Sequence, residues 1–372
     1  MPFFIFCEYV KWDMLLYKSM KINLSKEDLK KVYQLFDYKE INISVADLLL
    51  SIYEEKGYFK GAKSPLDFYH KMVDFFGIPS EEKEERNILE KWLKPAIYPL
   101  NPTSFLNNPY FSHIDIKGKK IGKYTLEYLT YKAYQPLPLD DIQVDDKDYY
   151  LERTPIGYFQ EDFKYLSLSY NGVTWMCITP NEINTMKPYI DSALGKVLVF
   201  GLGLGYYPYM ISLKDNVKDI YIVELDQNII NIFKENILPL FEHKEKIHII
   251  NADALSYIKS IDNSFNTIFI DLWHNPEDGL PLYLYFKQFE KKYPKTKFQY
   301  WLEESLIALY RRYLLMLIEE SLEGYMDKDY KNSQNQMDEF INGLYFKTKN
   351  ITLNTYDDVY KLLSKESILR LL

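Results

Sequence analysis

Residues 196–210 read KVLVFGLGLGYYPYM and spend three of the chain's 14 glycines, Gly201, Gly203 and Gly205, within five positions. An apolar run this short, closed by glycine, fits a strand buried on both faces of a parallel sheet. Three runs of the same type follow, DIYIVEL, KIHIINA and FNTIFIDLW, and the segments between them, YYPYMISLK, DQNIINIFKENILPLF and ALSYIKSI, read as helices. Such alternation predicts a doubly wound α/β domain with a parallel sheet and ligands at the carboxyl ends of its strands. The glycines occupy the first of those ends. Without a Cβ they allow a tight strand-to-helix bend and let a flat or anionic ligand lie against the main chain. A bend alone calls for one glycine, so three alternating ones predict a ligand. Tyr206 stands at the third glycine position of G-x-G-x-x-G, leaving G-x-G-x-G, which turns the expectation away from a dinucleotide pyrophosphate.

Acids stand at the next three strand ends. Glu224 closes YIVEL, where a carboxylate can accept hydrogen bonds from the two hydroxyls of an adenosine ribose; it can also end a strand in solvent or, like Asp226, cap the next helix. Asp253 in INADAL is suited either to an adenine amino group or to the N-cap of a helix starting near Ala254. Asp271 in FIDLWHNPEDG faces the same crevice. His274, three positions on, is either a base titrating near neutrality or a plain loop histidine. Trp273 walls the pocket or packs, and Pro276, Glu277 and Asp278 read as a helix start rather than a metal set.

The flanks are of different texture. Residues 25–93 are helical in pattern: SKEDLKKVYQLFDY, SVADLLLSIYEEKG and SPLDFYHKMVDFFG each open on serine, and the last places Pro65 at the first helical position. Prolines and asparagines in KPAIYPLNPTSFLNNPYF mark a boundary. Strands follow, FSHIDIKGKKIGKYTLEYLTYKAY turning around Lys-Gly-Lys-Lys and YLSLSYNGVTWMCI around Asn171-Gly172. The acidic stretch LPLDDIQVDDKDYY is expected to be a solvated loop. Past residue 293 the chain turns helical again, its longest run interrupted by Glu303, Glu304, Arg311 and Arg312, and MDKDYKNSQNQMDEF reads as a polar linker. The expected parts are therefore an N-terminal helical domain over 1–105, a β-hairpin region over 106–190, the nucleoside-binding domain over 191–292 and a C-terminal helical extension over 293–372.

A net charge of −8 argues against a broad nucleic-acid-binding surface. Two cysteines make no disulfide framework, the first residues lack the basic start of a leader, and no apolar run is long enough for a membrane span, so a cytoplasmic chain without membrane contact is expected. The 35 tyrosines are a composition bias spread through the chain.

VLVFGLGLG, VELD, NADA and FNTIFIDLWHNP together resemble motifs I to IV of class I S-adenosylmethionine-dependent methyltransferases, above all the spermidine-synthase-like branch. In that branch, as at Val199 here, the acid found two places before the first motif glycine is missing. The hairpin YLSLSYNGVTWMCITPNEI resembles the strand pair preceding its nucleotide domain. The resemblance covers about residues 165–289. It implies a Rossmann-like fold, S-adenosyl-L-methionine as cofactor, backbone contacts from Gly201, Gly203 and Gly205, ribose on Glu224, adenine on Asp253, and Asp271 near the reacting centre. Polyamine synthases carry an Asp where this chain has Leu204 and another where it has His274, and the Tyr-His-Glu pattern after NEI is replaced by NTMKP. Since holding ammonium groups needs carboxylates, methyl transfer to a small-molecule acceptor is the first expectation, with Asp271 and His274 as catalytic residues and no metal. Aminopropyl transfer is the alternative, and a non-catalytic nucleoside-binding scaffold a third. Without an Asn/Asp-Pro-Pro-aromatic signature a nucleic-acid substrate is not expected; homo-oligomers stay open.

Overall fold

A computed structural model describes residues 20–54, 59, 61–75, 77, 83–323 and 336–372 of the chain. Five strands, β1 (Gly195–Phe200), β2 (Val217–Glu224), β3 (Ile247–Asn251), β4 (Thr267–Ile270) and β5 (Lys297–Tyr300), form one sheet in the order β3-β2-β1-β4-β5. All four pairings are parallel. The apolar runs build it because the centre of such a sheet is covered on both sides: Val197, Leu198, Val199, Phe200, Ile268, Phe269 and Ile270 are all buried. Helices α1 (Pro180–Ser192), α2 (Tyr206–Ser212), α3 (Gln227–Asn236), α4 (Ala254–Tyr257) and α5 (Pro276–Lys287) precede or connect the strands. The domain is mixed α/β and Rossmann-like. From β1 the chain winds outward one way through β2 and β3 and the other way through β4 and β5, so a crevice opens where β1 and β4 end side by side.

Ahead of this sheet, Lys119–Ile121, Tyr124–Tyr131, Phe163–Tyr170 and Val173–Cys177 form a four-stranded antiparallel sheet. Asn171 and Gly172 make its last turn with φ of 51° and 81°, the left-handed pair that a two-residue hairpin loop demands. The first turn does not fall at Lys-Gly-Lys-Lys. It falls at Gly122-Lys123, where Gly122 takes φ 61° and Ile121 pairs with Tyr124.

Two of the expected N-terminal helices are one, Lys26–Glu54. Nothing between them breaks a helix: neither Gly nor Pro lies within the span, and Ser44 is an interior residue. The helix Pro65–Phe75 starts as predicted, with Ser64 Oγ accepting from Asp67 N at 3.1 Å. Part of the supposed solvated loop is also buried. The Asp141 carboxylate accepts the backbone N–H groups of Glu304 (3.1 Å) and Ser305 (3.2 Å) at the start of the helix Glu303–Glu323, and burial pushes it up to about 6.

The described residues up to Phe36 together with Arg311–Leu371 form one compact unit, and Asp37–Tyr310 another. In the first, Lys21–Ile22 pairs in parallel with Thr352–Leu353, Asp28 accepts from Tyr356 N at 3.2 Å, and Arg311 donates to the Leu363 carbonyl at 2.8 Å. The second contains both sheets. Among the described residues no helix is long and apolar enough to cross a membrane. The first 19 residues, and the expected polar linker as far as residue 335, lie outside the described residues.

Candidate functional site

β1 delivers the glycine loop to the crevice. Gly201, Gly203 and Gly205 take φ of 96°, 53° and 77°, a region closed to most L-residues. Two of the three are demanded by the protein's own packing, which corrects the expectation that a ligand accounts for the surplus. A Cβ on Gly201 would stand 2.0 Å from the Asp271 carbonyl oxygen, and one on Gly205 would stand 2.4 Å from the Phe233 ring. Only Gly203 faces open space, with nothing within 4 Å of where a Cβ would be.

Glu224, at the end of β2, turns back onto that loop. Its carboxylate accepts from Leu202 N at 3.2 Å and Asp226 N at 2.8 Å, joining the two strand ends. Burial pushes its pKa above the usual carboxylate range, and these backbone hydrogen bonds oppose the rise. Asn251 at the end of β3 donates to the carbonyls of Glu224 (3.0 Å) and Leu225 (2.9 Å), extending the same brace. Asp226 caps α3 through Asn228 N at 2.8 Å, so the capping role is filled beside Glu224 rather than by it. Asp253 takes the plainer of its two readings. It N-caps α4, accepting from Leu255 N (3.4 Å), Ser256 N (2.9 Å) and the Ser256 hydroxyl (2.6 Å).

Asp271 leaves the end of β4 and lines the same small cavity as Glu182, which comes from the first turn of α1, close enough for their charges to interact. Both carboxyls are largely removed from water. Burial lifts Asp271 to about 7; Glu182 is raised well above its ordinary value, first by burial and then by the Asp271 charge. No hydrogen bond to either carboxylate is made among the described residues. Sequence reasoning passed over Glu182 because it stands at the end of the hairpin stretch, in NEI, and not at a strand end of the parallel sheet; Thr179-Pro-Asn-Glu182 also has the pattern of a capping box. Half of that box forms, Thr179 Oγ1 accepting from Glu182 N at 3.4 Å, but the glutamate carboxylate does not return the bond.

Around the pair runs a wall that includes Gly201 to Tyr207, with Ile178, Met186, Val199 and Phe269. Among the described residues no Lys, Arg or His lines it. Its enclosed space is about 20 Å³, room for about one water molecule, so a larger ligand enters only as the lining side chains part. Two further residues, invisible in the motifs, brace the loop from the segment 108–110. Tyr110 donates to the Leu204 carbonyl at 2.6 Å, and Asn108 donates to the Tyr206 hydroxyl at 2.9 Å. The asparagine-proline runs here looked like a simple boundary; each starts a short helix, Pro102–Leu106 and Pro109–His113, with Asn101 and Asn108 as caps.

The structure does not bring His274 into this cavity. Its ring is 63% exposed and its Nδ1 lies 3.2 Å from Asp278 Oδ2, in the capping box that Asn275 and Asp278 form at the start of α5. Trp273 is buried, donating to the Trp301 carbonyl at 3.2 Å.

Residues 182–296, under a third of the chain, match the spermine/spermidine synthase domain family. No curated protein matches the chain. Among solved structures, spermidine synthase from Thermotoga maritima is 17% identical over 41% of this chain and 58% of its own, with a TM-score of 0.28. A spermidine synthase in complex with the transition state analogue AdoDATO is likewise 17% identical over 41% and 58%, with a TM-score of 0.29. A candidate O-methyltransferase from Klebsiella pneumoniae is 20% identical over 28% and 48%, with a TM-score of 0.23. The chain thus spans 58% of the length of the two spermidine synthases.

Proposed function

We propose that the chain is a transferase that moves an aminopropyl group from decarboxylated S-adenosylmethionine to an amine. The observation that carries this is the Glu182–Asp271 acid pair in a crevice with no basic residue among its described lining. Two interacting carboxyls on one cavity wall, both held back from water, favour cations and repel anions. Intact S-adenosylmethionine would bring a carboxylate toward them, whereas the decarboxylated donor brings only positive charge. The domain match over 182–296 supports the same choice over the methyl transfer that the motifs put first. The motifs spoke against aminopropyl transfer through Leu204 and His274, where acids are expected; Glu182 supplies a second acid from another element.

On this reading Glu224 and the open face of Gly203 hold the nucleoside, and Asp271 and Glu182 hold the cationic end. The donor supplies a carbon activated by its bond to a sulfonium sulfur. The acceptor nitrogen forms the new C–N bond as the C–S bond breaks, and sulfur leaves with the electron pair as a neutral thioether. Asp271, lifted to about 7 by burial, is a stronger base than an ordinary carboxylate and takes the proton that the nitrogen sheds.

Titration calorimetry of the purified chain with decarboxylated and intact S-adenosylmethionine and with NAD tests the reading. We expect the decarboxylated donor to bind tightest, with affinity rising from pH 6 to 8 as Asp271 ionises, and Asp271→Asn to flatten that rise. Tighter binding of the intact form or of NAD, or a pH-independent affinity, refutes it.

A further inference from the structure

We propose that the groove between α3 and the two turns of the antiparallel sheet is a binding site for a neutral sugar ring, laid on Tyr170 with its hydroxyls held by Asn231 and Glu235. The groove stands apart from the transfer reading: it shares no lining residue with the glycine-loop cavity. Its volume is about 420 Å³, within the range of small-molecule sites. Asn228, Asn231 and Glu235 stand three and four residues apart, so they share one face of α3. The rest of the wall comes from the end of the sheet where its turns meet, the Asn171 N–H donating to the Lys123 carbonyl at 2.9 Å. Gly122 keeps this wall open, with nothing within 4 Å of where its Cβ would be.

What the walls leave unused decides the ligand. Tyr124 donates its hydroxyl to Asp226 at 2.9 Å and so offers only its ring. Asn228 donates its amide to Asp226 at 2.9 Å, and Asn231 accepts from the Gln227 amide at 2.8 Å. The Asn228 carbonyl, the Asn231 amide N–H groups and the Glu235 carboxylate remain, with the Lys123 ammonium, which lies over the Tyr170 ring at 6.0 Å. Donors and acceptors are both present and the two formal charges cancel. That suits hydroxyls, each of which donates and accepts, better than a phosphate or a lone ammonium. The platform is Tyr170, 38% exposed and braced by Tyr124 and Trp175, their ring centroids 5.0 and 6.1 Å away. The C–H face of a pyranose gains by covering such a ring, while its hydroxyls reach the amides at the edge.

The full chain is titrated by calorimetry with methyl glucoside, methyl galactoside and methyl mannoside, with sorbitol as a polyol lacking a ring and glucose 6-phosphate as an anion. We expect at least one methyl glycoside to bind about 10-fold or more tightly than sorbitol and than glucose 6-phosphate. Tyr170→Ala and Asn231→Ala, each checked for an unchanged circular dichroism spectrum, should each weaken that binding by about 10-fold. Asp271→Asn should leave it unaltered. Maltose, cellobiose and lactose, set against the methyl glycosides, tell a free sugar from the end of a longer chain, and either source satisfies the proposal. Failure of every glycoside to bind, equal binding of sorbitol, tighter binding of the phosphate, or an affinity untouched by Tyr170→Ala and Asn231→Ala overturns it and leaves the transfer reading standing.

Discussion

Replacing Asp271 by asparagine should make the protein more stable above neutrality while destroying its hold on a cation. Burial raises this carboxyl from 3.8 to about 7, which sets an upper bound of about 4 kcal/mol against the charged form. An acid whose folded-state pKa lies above its unfolded value costs nothing below about pH 4, where both states are protonated. Stability is then lost progressively as the pH climbs toward 7, and the loss is complete beyond it. Asparagine keeps the shape without the charge. Glu182, raised by the Asp271 charge as well as by burial, should titrate at lower pH in the variant. In thermal melts the two proteins should coincide near pH 4, and the variant should melt higher by several degrees, at most of order 10 °C, at pH 8. A variant that melts lower at pH 8, or by a margin unchanged between pH 4 and pH 8, would refute the claim that an unpartnered buried acid stands in the crevice.

Gly201→Ala should unfold the parallel-sheet domain, because its Cβ would lie 2.0 Å from a backbone oxygen, while Gly203→Ala should cost only about 1–2 kcal/mol of left-handed strain; chemical denaturation of the two separates them. Tyr110→Phe removes a buried 2.6 Å hydrogen bond from the Leu204 carbonyl and should lower stability by about 1–3 kcal/mol, with weaker donor binding measured by calorimetry. His274→Ala should leave aminopropyl transfer within about twofold, since its exposed ring pairs with Asp278; a loss of transfer of 100-fold or more would return His274 to the catalytic role that its spacing from Asp271 suggested.

Much of the core was legible in one dimension. Runs such as KVLVF and NTIFI are apolar at every position because both faces of a central parallel strand are covered, and glycine in the left-handed region leaves its mark at Gly201, Gly203 and Gly205. Asn171-Gly172 was equally plain, since few residues accept that turn. The helix Lys26–Glu54 was read as two because serine resembles a cap wherever it stands, and only continuous backbone bonding shows that Ser44 caps nothing.

For the site, the sequence by itself determined which backbone positions reach the crevice, because strand order and glycine spacing are local consequences of side-chain size and burial. It did not determine what the acids do there. Asp253 spends its oxygens on the first turn of α4, and Glu224 holds the glycine loop to the end of β2. His274 turns outward onto Asp278, while Glu182, whose backbone N–H closes half of a capping box, lines one cavity with Asp271. A carboxylate's partner is chosen by which elements pack together and how much water they exclude, across separations that no motif spans. That choice belongs to the tertiary structure alone.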